Sequence, residues 1–394
     1  MNAREFVPGI FSVGAVDWDR RLFDSLIPLP DGTSYNAYFI KGSEKTALID
    51  TVDRKMPEIL LNNLDFLGIK HLDYIVSNHS EPDHSGAIPQ VAAKYPEAQI
   101  ICTPRAKDLL IDLFHLAPDK FKTVNDLETI SLGDRTLEFI HAPWVHWPET
   151  MLTYLKEDKI LFSCDFLGSH IATSDLYVTD EGRVYEAAKR YYAEIMMPFR
   201  AQIMKNLEKI KDYEFELIAP SHGPMYAEPE FIINAYHEWV YNEPKNTVVI
   251  PYVSMHGSTK KMVDYLVNAL VSRGVNVEQF DMSVADSGKL AMSLVDAGTI
   301  VIGTPTVLIG PHPMIAYAAV LANALKPKAK FASIIGSYGW GTKAVDTIVS
   351  LVPNLKVEII PPVLCKGQPR DVDYQALENL AETIAQKHKD NKFE

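Results

Sequence analysis

Two histidines and two carboxylates stand close together in the segment Ser77–Gly86. They are His79, Glu81, Asp83 and His84. The apolar run Leu72–Val76 before the segment predicts a buried strand, and the run Ala87–Lys94 after it predicts the start of a helix. Imidazole and carboxylate are the ligands that first-row transition metals share, and such clusters mark metal or catalytic sites. The segment therefore predicts a metal site on a strand-to-helix turn, in preference to a merely solvated polar turn.

The pattern His79-x-Glu81-x-Asp83-His84 resembles the metal signature of the metallo-β-lactamase superfamily. The commonest form of that signature has a third histidine where Glu81 stands here. A carboxylate at this position makes the site harder and more anionic, which favours iron or manganese over zinc. With this change the pattern is similar to that of the flavo-diiron proteins, also called A-type flavoproteins or rubredoxin:oxygen oxidoreductases. That resemblance implies further ligands downstream and a flavodoxin domain after them.

Three later residues match the ligands that the resemblance implies. They are His146 after a predicted strand, Asp165 at the end of an apolar strand, and His222 in a Pro-Ser-His-Gly turn. A carboxylate can bridge two metals because its two oxygens carry lone pairs that face different ways. The resemblance implies that Asp165 is shared, that His79, Glu81 and His146 complete one metal position, and that Asp83, His84 and His222 complete the other. In some relatives the histidine at the His84 position turns off the metal, so the role of His84 stays open.

Three other residues are expected near this predicted centre. The resemblance implies a tyrosine close to the metals, for which Tyr192 is the candidate, although core packing explains this tyrosine equally well. His170 is a similar candidate. Cys164 directly precedes Asp165 and would point to the opposite face if the strand continues. We therefore do not expect Cys164 to be a ligand.

The chain has 394 residues, which is enough for two domains. Hairpins at the start give way to alternating strands and helices, which favours layered α/β structure with mixed sheets. A polar, proline-containing connector follows at Tyr241–Asn246, and five apolar strands then alternate with helices, as in a doubly wound parallel sheet. We expect a metallo-β-lactamase-like αββα sandwich at residues 1–244 and a flavodoxin-like FMN-binding domain at residues 245–394.

Three loops of the second domain follow strands, where open α/β sheets bind their ligands. The loop Ser254–Thr259 resembles the flavodoxin phosphate loop, in which hydroxyls and backbone N–H groups at a helix N-terminus hold a phosphate. It lacks the lysine of a nucleoside-triphosphate loop, so a monophosphate such as that of FMN is favoured. The other two loops are small-residue turns that let the backbone approach a flat ring, on which Tyr338 or Trp340 could stack. The expected FMN contacts are Ser254, Met255, His256, Gly257, Ser258, Thr259, Pro305, Thr306, Val307, Leu308, Ser337, Tyr338, Gly339, Trp340 and Gly341.

Charge and cysteine content exclude several classes of partner. The formal net charge of -13 argues against a nucleic-acid partner, since phosphate binding needs a basic face. The three cysteines are scattered and form no Cys-x-x-Cys pair, so we expect no rubredoxin or iron–sulfur module within the chain. No apolar run approaches the length of a membrane span, and the N-terminus lacks the apolar core of a signal peptide. A cytoplasmic protein is the default expectation.

The resemblance covers nearly the whole chain and needs two independent motif sets in the right order. It implies a flavo-diiron oxidoreductase that passes electrons from an external donor through FMN to two non-haem irons, reducing dioxygen to water, nitric oxide to nitrous oxide, or both. Two alternatives are weighed against it. A zinc-dependent hydrolase with an accessory flavodoxin domain would use the same turn to activate water, but Glu81 argues against zinc. An electron-transfer flavoprotein with a decayed metal domain would not keep the complete ligand set.

The same reasoning predicts partners and assembly. Without a donor module of its own, the chain needs a separate electron donor, either a rubredoxin or reduced deazaflavin. The ligand set is common to both gases, so the sequence sets no preference between them. The connector is short and stiffened by Pro244, which limits how far one domain can fold back onto the other. A head-to-tail homodimer, or a dimer of dimers, would bring each FMN to the partner's metals.

Overall fold

The computed structural model describes residues 3–394, which divide into two compact units. The first unit contains the described residues up to Tyr192 together with Phe199–Val240. The second contains Ala193–Pro198 together with Tyr241–Glu394. The sequence-based border between residues 244 and 245 lies in the segment that follows Val240, and it stays a prediction.

The first unit alternates short strands with helices. Its strands are β1 (Arg4–Val7), β2 (Ile10–Ser12), β3 (Ala15–Asp17), β4 (Leu22–Phe23), β5 (Ile27–Pro28), β6 (Thr33–Tyr35), β7 (Tyr38–Lys41), β8 (Thr46–Ile49), β9 (Tyr74–Val76), β10 (Gln99–Cys102), β11 (Phe121–Thr123), β12 (Thr129–Ser131), β13 (Thr136–His141), β14 (Met151–Leu155), β15 (Ile160–Cys164) and β16 (Leu217–Pro220). Its helices are α1 (Pro57–Phe66), α2 (Pro82–Ser85), α3 (Ile88–Lys94), α4 (Pro104–Phe114), α5 (Glu181–Tyr191), α6 (Arg200–Ile210) and α7 (Pro229–Tyr241). A 3-10 turn covers Pro118–Lys120. A π-helical turn at Tyr192–Met196 and a 3-10 turn at Met197–Phe199 include the residues Ala193–Pro198, which belong to the second unit.

These strands form two large mixed sheets. One sheet has seven strands in the order β1-β2-β7-β8-β9-β10-β11, and the other has five in the order β12-β13-β14-β15-β16. Strands β8 to β11 run parallel, as do β15 and β16. The first strands of each sheet pair antiparallel. Parallel pairs need helical crossovers and antiparallel pairs need only hairpins, which explains why hairpins and helices alternate in the sequence.

Both faces of the central strands are buried. Successive side chains of a strand point to opposite faces, so the two neighbours Ile75 and Val76 of β9 enter different cores. Ile75 packs in the core that contains Leu60 of α1. Val76 packs with Phe139 and Phe162, which belong to the other sheet. The unit is therefore a sandwich in which the two sheets face each other and helices cover the outside of the first.

The turn after β9 is fastened to both sheets. Asp50, which directly follows β8, accepts hydrogen bonds from the backbone N–H and the side-chain amide of Asn78 at 2.8 and 2.9 Å. Thr153 of β14 donates to Oδ1 of Asn78 at 2.7 Å. The side-chain amide of Asn78 thus donates to a residue that follows a strand of one sheet and accepts from a residue of the other. These buried hydrogen bonds fix the position of the segment that begins with His79.

The second unit is a parallel sheet between helices. Its strands are β17 (Thr247–Tyr252), β18 (Asn276–Asp281), β19 (Thr299–Val307), β20 (Gly310–Pro311), β21 (Phe331–Tyr338), β22 (Glu358–Ile359) and β23 (Val363–Lys366). Its helices are α8 (Ser258–Val271), α9 (Ser287–Asp296), α10 (Pro313–Leu325), α11 (Ala344–Leu351) and α12 (Asp371–Asp390). The sheet order β18-β17-β19-β21-β22 is the flavodoxin-like doubly wound order. Every helix among residues 3–394 is too short or too polar to cross a membrane.

A buried histidine ties the last helix to the sheet of the second unit. Nε2 of His388 lies 2.6 Å from the hydroxyl of Thr299, and its Nδ1 lies 2.9 Å from Oδ1 of Asn246. The ring also packs edge-on against Phe393, with 4.9 Å between ring centroids. Burial lowers the pKa of His388 to about 4.

This low pKa predicts acid sensitivity of the second unit. A histidine in an unfolded chain titrates near ~6.5, so protonation favours unfolding. The contribution of neutral His388 to stability is complete above about pH 6.5 and is lost as the pH falls toward 4. We expect the loss to reach about 2 kcal/mol after allowance for solvent screening. Calorimetric melting of wild type and His388→Gln between these pH values checks it, and equal pH slopes for both proteins would contradict it.

Candidate metal centre

The strand ends of the first unit bring all seven proposed ligands together. They are four histidines and three carboxylates: His79, Glu81, Asp83, His84, His146, Asp165 and His222. The first four follow β9, and the next three follow β13, β15 and β16. All are buried except His146, which is partly exposed. They form two groups, and in each group the potential ligand atoms lie within 4.8 Å of one another.

The first group surrounds one point with two imidazoles and two carboxylates. Nε2 of His79 lies 3.1 Å from Oε2 of Glu81 and 3.4 Å from Oδ2 of Asp165. Nε2 of His146 lies 3.0 Å from the same Glu81 oxygen and 3.5 Å from the same Asp165 oxygen. Four donor atoms of mixed nitrogen and oxygen type thus converge on one position.

The second group uses the other oxygen of the same aspartate. Nε2 of His84 lies 2.9 Å from Oδ1 of Asp165 and 3.3 Å from Oδ2 of Asp83. Nε2 of His222 lies 3.3 Å from Oδ1 of Asp165 and 3.1 Å from the same Asp83 oxygen. Asp165 therefore presents one oxygen to each group, which is the geometry of a carboxylate placed between two cations.

Unsatisfied buried atoms show that this donor set fits metal ions. Both carboxylate oxygens of Asp83 and of Asp165, and both ring nitrogens of His84, are buried without a hydrogen-bond partner among the described residues. Burying a charge is costly unless it is paired or coordinates a metal. Two cations at these positions would give every one of the carboxylates a partner, and the imidazole–carboxylate mixture suits iron or manganese.

The electrostatics of the site agree with this fit. Burial opposes a positive charge on His222, but Asp165 and Asp83 outweigh it and raise the pKa of His222 to about 10. In the same way Asp165 and Glu81 raise the pKa of His146 to about 9 against burial. Protons therefore occupy these imidazoles when no cation neutralises the carboxylates, and metal binding must release them.

The two groups are backed by different hydrogen-bond acceptors. Nδ1 of His79 donates to Oε1 of Glu149 at 2.8 Å, which leaves Nε2 to face the centre. Nδ1 of His222 donates instead to the backbone carbonyl of Ser34 at 2.6 Å. Glu149 was not predicted from the sequence. The available signal was an acidic residue on the same loop as the predicted ligand His146, because metal-bound histidines are commonly oriented by carboxylates.

The tyrosine beside the centre is Tyr191, one residue before the predicted one. Its ring packs against those of His170 and His222, with centroids 4.8 and 5.8 Å apart. Burial and the charge of Asp165 raise the pKa of Tyr191 well above its ordinary value, so its hydroxyl keeps its proton. The ring of Tyr192 packs instead against Tyr236, at 5.4 Å. The structure thus places Tyr192 in a cluster of aromatic side chains within the core.

His170 lies beside the second group and outside its ligand atoms. Its ring is 4.5 Å from that of His222, and its Nδ1 lies 2.8 Å from the hydroxyl of Thr33. Phe23 covers the same ring at a centroid distance of 5.1 Å. Burial and the neighbouring His222 hold the pKa of His170 well below its ordinary value. His170 therefore packs against His222 as a neutral imidazole.

Cys164 was expected to face away from the site only if the strand continues, and this condition is not met. Its exclusion as a ligand stays a prediction. Its sulfur lies within 4.8 Å of potential ligand atoms of both His84 and Asp165. The pairing of β15 with β16 shifts register between Phe162 and Cys164, and Cys164 has a left-handed φ of 51°. Strand alternation ends at this irregularity, so the side chain does not continue the pattern from which the prediction was made.

In the second unit, the predicted loops enclose a cavity of about 290 Å³. It is lined by Ser254, Met255, His256, Ser258, Thr259, Pro305, Thr306, Ser337, Tyr338, Gly339, Trp340 and Gly367. Gly367 was not predicted, and the predicted residues Gly257, Val307, Leu308 and Gly341 are not among those lining it. The backbone N–H of Lys260 donates to the hydroxyl of Ser254 at 3.1 Å, and the hydroxyls of Thr259 and Ser337 lie 3.2 Å apart.

This cavity has the features of a site for a phosphate joined to a flat ring. The loop runs into the N-terminus of α8, where unpaired N–H groups favour an anion. Gly257, the N-cap of α8, has a φ of +83°, a left-handed conformation that glycine adopts without strain. Trp340 is 86% exposed at the rim, which leaves its ring available for stacking.

Known proteins resemble this chain in the metal-binding unit alone and over its whole length. A family model described as ODP family beta lactamase matches residues 33–223. The nitric oxide reductase of Moorella thermoacetica is 37% identical over 387 residues, which cover 96% of this chain and 96% of that protein. The coenzyme F420H(2) oxidase of Methanothermobacter marburgensis is 33% identical over 372 residues, 91% of each chain. The solved structure of rubredoxin oxygen:oxidoreductase from Desulfovibrio gigas matches with a TM-score of 0.94 at 30% identity, covering 98% of this chain and 99% of that one.

Fold and site together define an α/β protein with a metallo-β-lactamase-like metal unit and a flavodoxin-like sheet. The chain belongs to the flavo-diiron protein family. The fold class predicted from the sequence is thereby confirmed, and so is the resemblance on which it depended. As a member of this family the chain is an oxidoreductase, and the hydrolase alternative is not supported.

Proposed function

We propose that this protein passes electrons from an external donor through FMN to a non-haem diiron centre that reduces dioxygen to water, nitric oxide to nitrous oxide, or both. One observation carries the proposal. Asp165 presents Oδ2 to one group of ligand atoms and Oδ1 to a second group, at 2.9–3.5 Å. Two metals held by one carboxylate lie close enough to act on the same small molecule.

The residues of the first unit would hold the metals and control access to them. His79, Glu81 and His146 would bind one iron, Asp83, His84 and His222 would bind the other, and Asp165 would bind both. When bound, two irons would supply the electrons for reduction of the diatomic gas, and three carboxylates against two divalent cations would leave a net positive charge that favours anionic groups at the site. Phe23 and Trp147 pack against the rings of His170 and His79, where they exclude water. Tyr191 keeps a protonated hydroxyl next to Asp165.

The second unit would bind FMN in the cavity between its loops. The hydroxyls of Ser254 and Thr259, with the N–H groups at the start of α8, would hold the phosphate. Gly339 and Gly367 have no side chains and would let the backbone approach the ring, and Trp340 would stack on it. The other lining residues of the cavity would contact the ring or the ribityl chain. When bound, FMN would accept one or two electrons at a time from the donor and would pass them singly to iron.

Metal analysis combined with gas consumption tests this function. The protein as purified is expected to contain two irons and one FMN per chain and to consume dioxygen or nitric oxide when a reductant is supplied. Zinc without flavin, together with hydrolysis of an ester or lactone, would favour the hydrolase. Flavin without iron, and no gas consumption, would favour a plain electron carrier. Either result would contradict the proposal.

We also propose a separate electron donor. The relatives carry the names of rubredoxin and coenzyme F420H(2) oxidoreductases, which are the two kinds of donor predicted from the sequence. Lys260 and Lys261 in the first turn of α8, Lys343 before α11 and Lys366 at the end of β23 flank the cavity-lining segments in sequence. Lys260 is paired with Asp264, and the whole chain has a net charge of -13. A basic rim attracts anionic partners, which suits a phosphorylated deazaflavin or an acidic protein. A cytoplasmic location stays a prediction.

The proposed assembly is a head-to-tail homodimer or a dimer of dimers. Exposed apolar side chains next to the FMN cavity support it, since Leu308 is 93% exposed and Trp340 is 86% exposed in the single chain. A two-fold contact would cover these two side chains and place each FMN against the partner's metal ligands.

Complementation between two inactive variants tests the shared site. One variant lacks iron (His79→Ala with His146→Ala) and the other lacks flavin (Ser254→Ala with Thr259→Ala). Unfolded together and refolded, they are expected to form heterodimers that regain part of the wild-type rate, because one intact FMN then faces one intact metal site. Heterodimers that carry their expected FMN and iron but stay inactive would show that transfer occurs within one chain.

A further inference from the structure

A buried carboxylate stands behind one of the two metal positions. Glu149 is 2% exposed, and its Oε1 accepts hydrogen bonds from Nδ1 of His79 at 2.8 Å and from the backbone N–H of Ser80 at 3.0 Å. Its Oε2 is also buried and has no hydrogen-bond partner among the described residues. Glu149 is not one of the proposed ligands, so its burial needs a separate explanation.

The second position has no such charge at the matching place. Nδ1 of His222 donates to the carbonyl oxygen of Ser34 at 2.6 Å and lies 3.4 Å from the hydroxyl of Thr33. Both acceptors are neutral. Nδ1 of His84 is buried without a hydrogen-bond partner in the described chain. His79 therefore has a hydrogen-bonded carboxylate behind it, whereas His222 has only dipoles. The buried carboxylate of Asp50 interacts electrostatically with both His84 and His79, so it acts on both positions.

A carboxylate that accepts from a metal-bound histidine makes the opposite nitrogen a stronger donor and fixes the ring. At a buried position the effect of such a charge is large, because the local dielectric constant is low. A negative charge near a metal also stabilises its more oxidised state relative to the reduced one. These effects act on the metal that binds Nε2 of His79, and only weakly on the metal bound by His222.

We propose that Glu149 is a positioning residue that holds His79 through Nδ1 and makes the first metal position the more electron-rich of the two. The inference rests on the proposed diiron function. It predicts an asymmetric centre in which the metal held by His79, Glu81 and His146 has the lower reduction potential and is retained more tightly than it would be without Glu149. The asymmetry originates in the chain, although the ligands of the two positions are similar.

The alternative is that Glu149 only shapes its loop. The backbone carbonyl of Glu149 accepts from the hydroxyl of Thr103 at 3.0 Å, so the residue has structural contacts as well. Glu149→Gln separates the two explanations, since an amide of the same size can still accept from Nδ1 of His79 but carries no charge. A purely structural role would leave the potentials unchanged in this variant.

The experiment compares iron-loaded, full-length wild type with Glu149→Gln, Glu149→Asp and the control Glu97→Gln, which removes one charge from an exposed position. Redox titration followed by electron paramagnetic resonance gives the iron potentials, with bound FMN as an internal reference. In Glu149→Gln we expect an iron potential raised by a tenfold change in the one-electron equilibrium, or about 59 mV. A chelator should remove one of the two irons about tenfold to a hundredfold more readily. Glu149→Asp should shift less in the same direction, and Glu97→Gln should match wild type.

Several results would overturn the inference. Potentials and iron retention in Glu149→Gln equal to those of wild type would do so, and so would a shift in Glu149→Asp as large as that in Glu149→Gln. If Glu149→Gln does not fold, the wild type decides, because two irons with equal potentials and equal release to the chelator would contradict the asymmetry. Equal loosening of both irons would also contradict the assigned asymmetry. Wild-type protein that binds no iron would overturn the proposed function as well, which distinguishes the two failures.

Discussion

Replacement of Asp165 with alanine is expected to remove both irons from the protein and to abolish gas reduction. Each oxygen of this carboxylate faces the ligand atoms of a different group, so no other single side chain serves both positions. Without it the remaining imidazoles keep fewer anionic partners, and they bind protons in place of metals. Iron content should fall from two per chain to nearly none, and the reductase rate by more than about a hundredfold, the upper end of the losses seen even for indirect partners of a metal.

Two further variants control this experiment. Glu81→Ala removes a carboxylate that contacts only the first group, so we expect it to release one iron and keep the other. Cys164→Ser changes the residue directly before Asp165, whose sulfur lies near the second group. Both irons should remain in that variant. If Asp165→Ala keeps one iron at full occupancy, the assignment of a shared carboxylate is wrong, even though the family membership stands.

The second large effect concerns the flavin. The double variant Ser254→Ala with Thr259→Ala is expected to lose FMN while keeping both irons, because the two hydroxyls lie in the second unit. Loss of one hydroxyl partner of a charged acceptor costs about 1.5–3 kcal/mol, which weakens binding by roughly tenfold to a hundredfold. Two such losses should deplete FMN during dialysis. Absorbance of the flavin and iron analysis of the same sample give the result.

A matched control uses the far end of the same helix. Ser272 follows the C-terminus of α8 and donates to the carbonyl of Ala269 at 2.9 Å, so Ser272→Ala removes a hydroxyl without touching the cavity. It should retain FMN as wild type does. Unchanged FMN in the double variant would show that the phosphate lies elsewhere, and FMN loss in both variants would indicate general destabilisation of the unit.

The ligand set could be proposed from sequence because each member occupies a recognisable local position. His79, Glu81, Asp83 and His84 share one short segment, and the other three end strands or stand in a turn. Their convergence depends on sheet pairings between distant segments, which local patterns do not contain. The family resemblance implies this convergence, which the local patterns alone do not.

Other features could not be predicted, for identifiable physical reasons. Cys164 lies near the centre because of a register shift and a left-handed φ, and neither leaves a signal in the hydrophobic pattern. Tyr191 and Tyr192 are adjacent at the point where α5 passes into a π-helical turn. Both residues are tyrosines, so residue type cannot distinguish them. The backbone path at the end of the helix decides which ring faces Asp165. Glu149 lies 70 residues from His79 in the sequence, so their hydrogen bond has no local signal.

The most direct test of the central claim follows the flavin of fully reduced protein after exposure to dioxygen or nitric oxide. FMN in wild type is expected to be reoxidised within the turnover time, because its electrons would reach the gas through the metals. In Asp165→Ala, which keeps FMN but lacks iron, the same reoxidation by nitric oxide should be absent and that by dioxygen far slower. Equal rates of flavin reoxidation in the two proteins with both gases would show that electrons bypass the proposed metal centre, and would contradict the account.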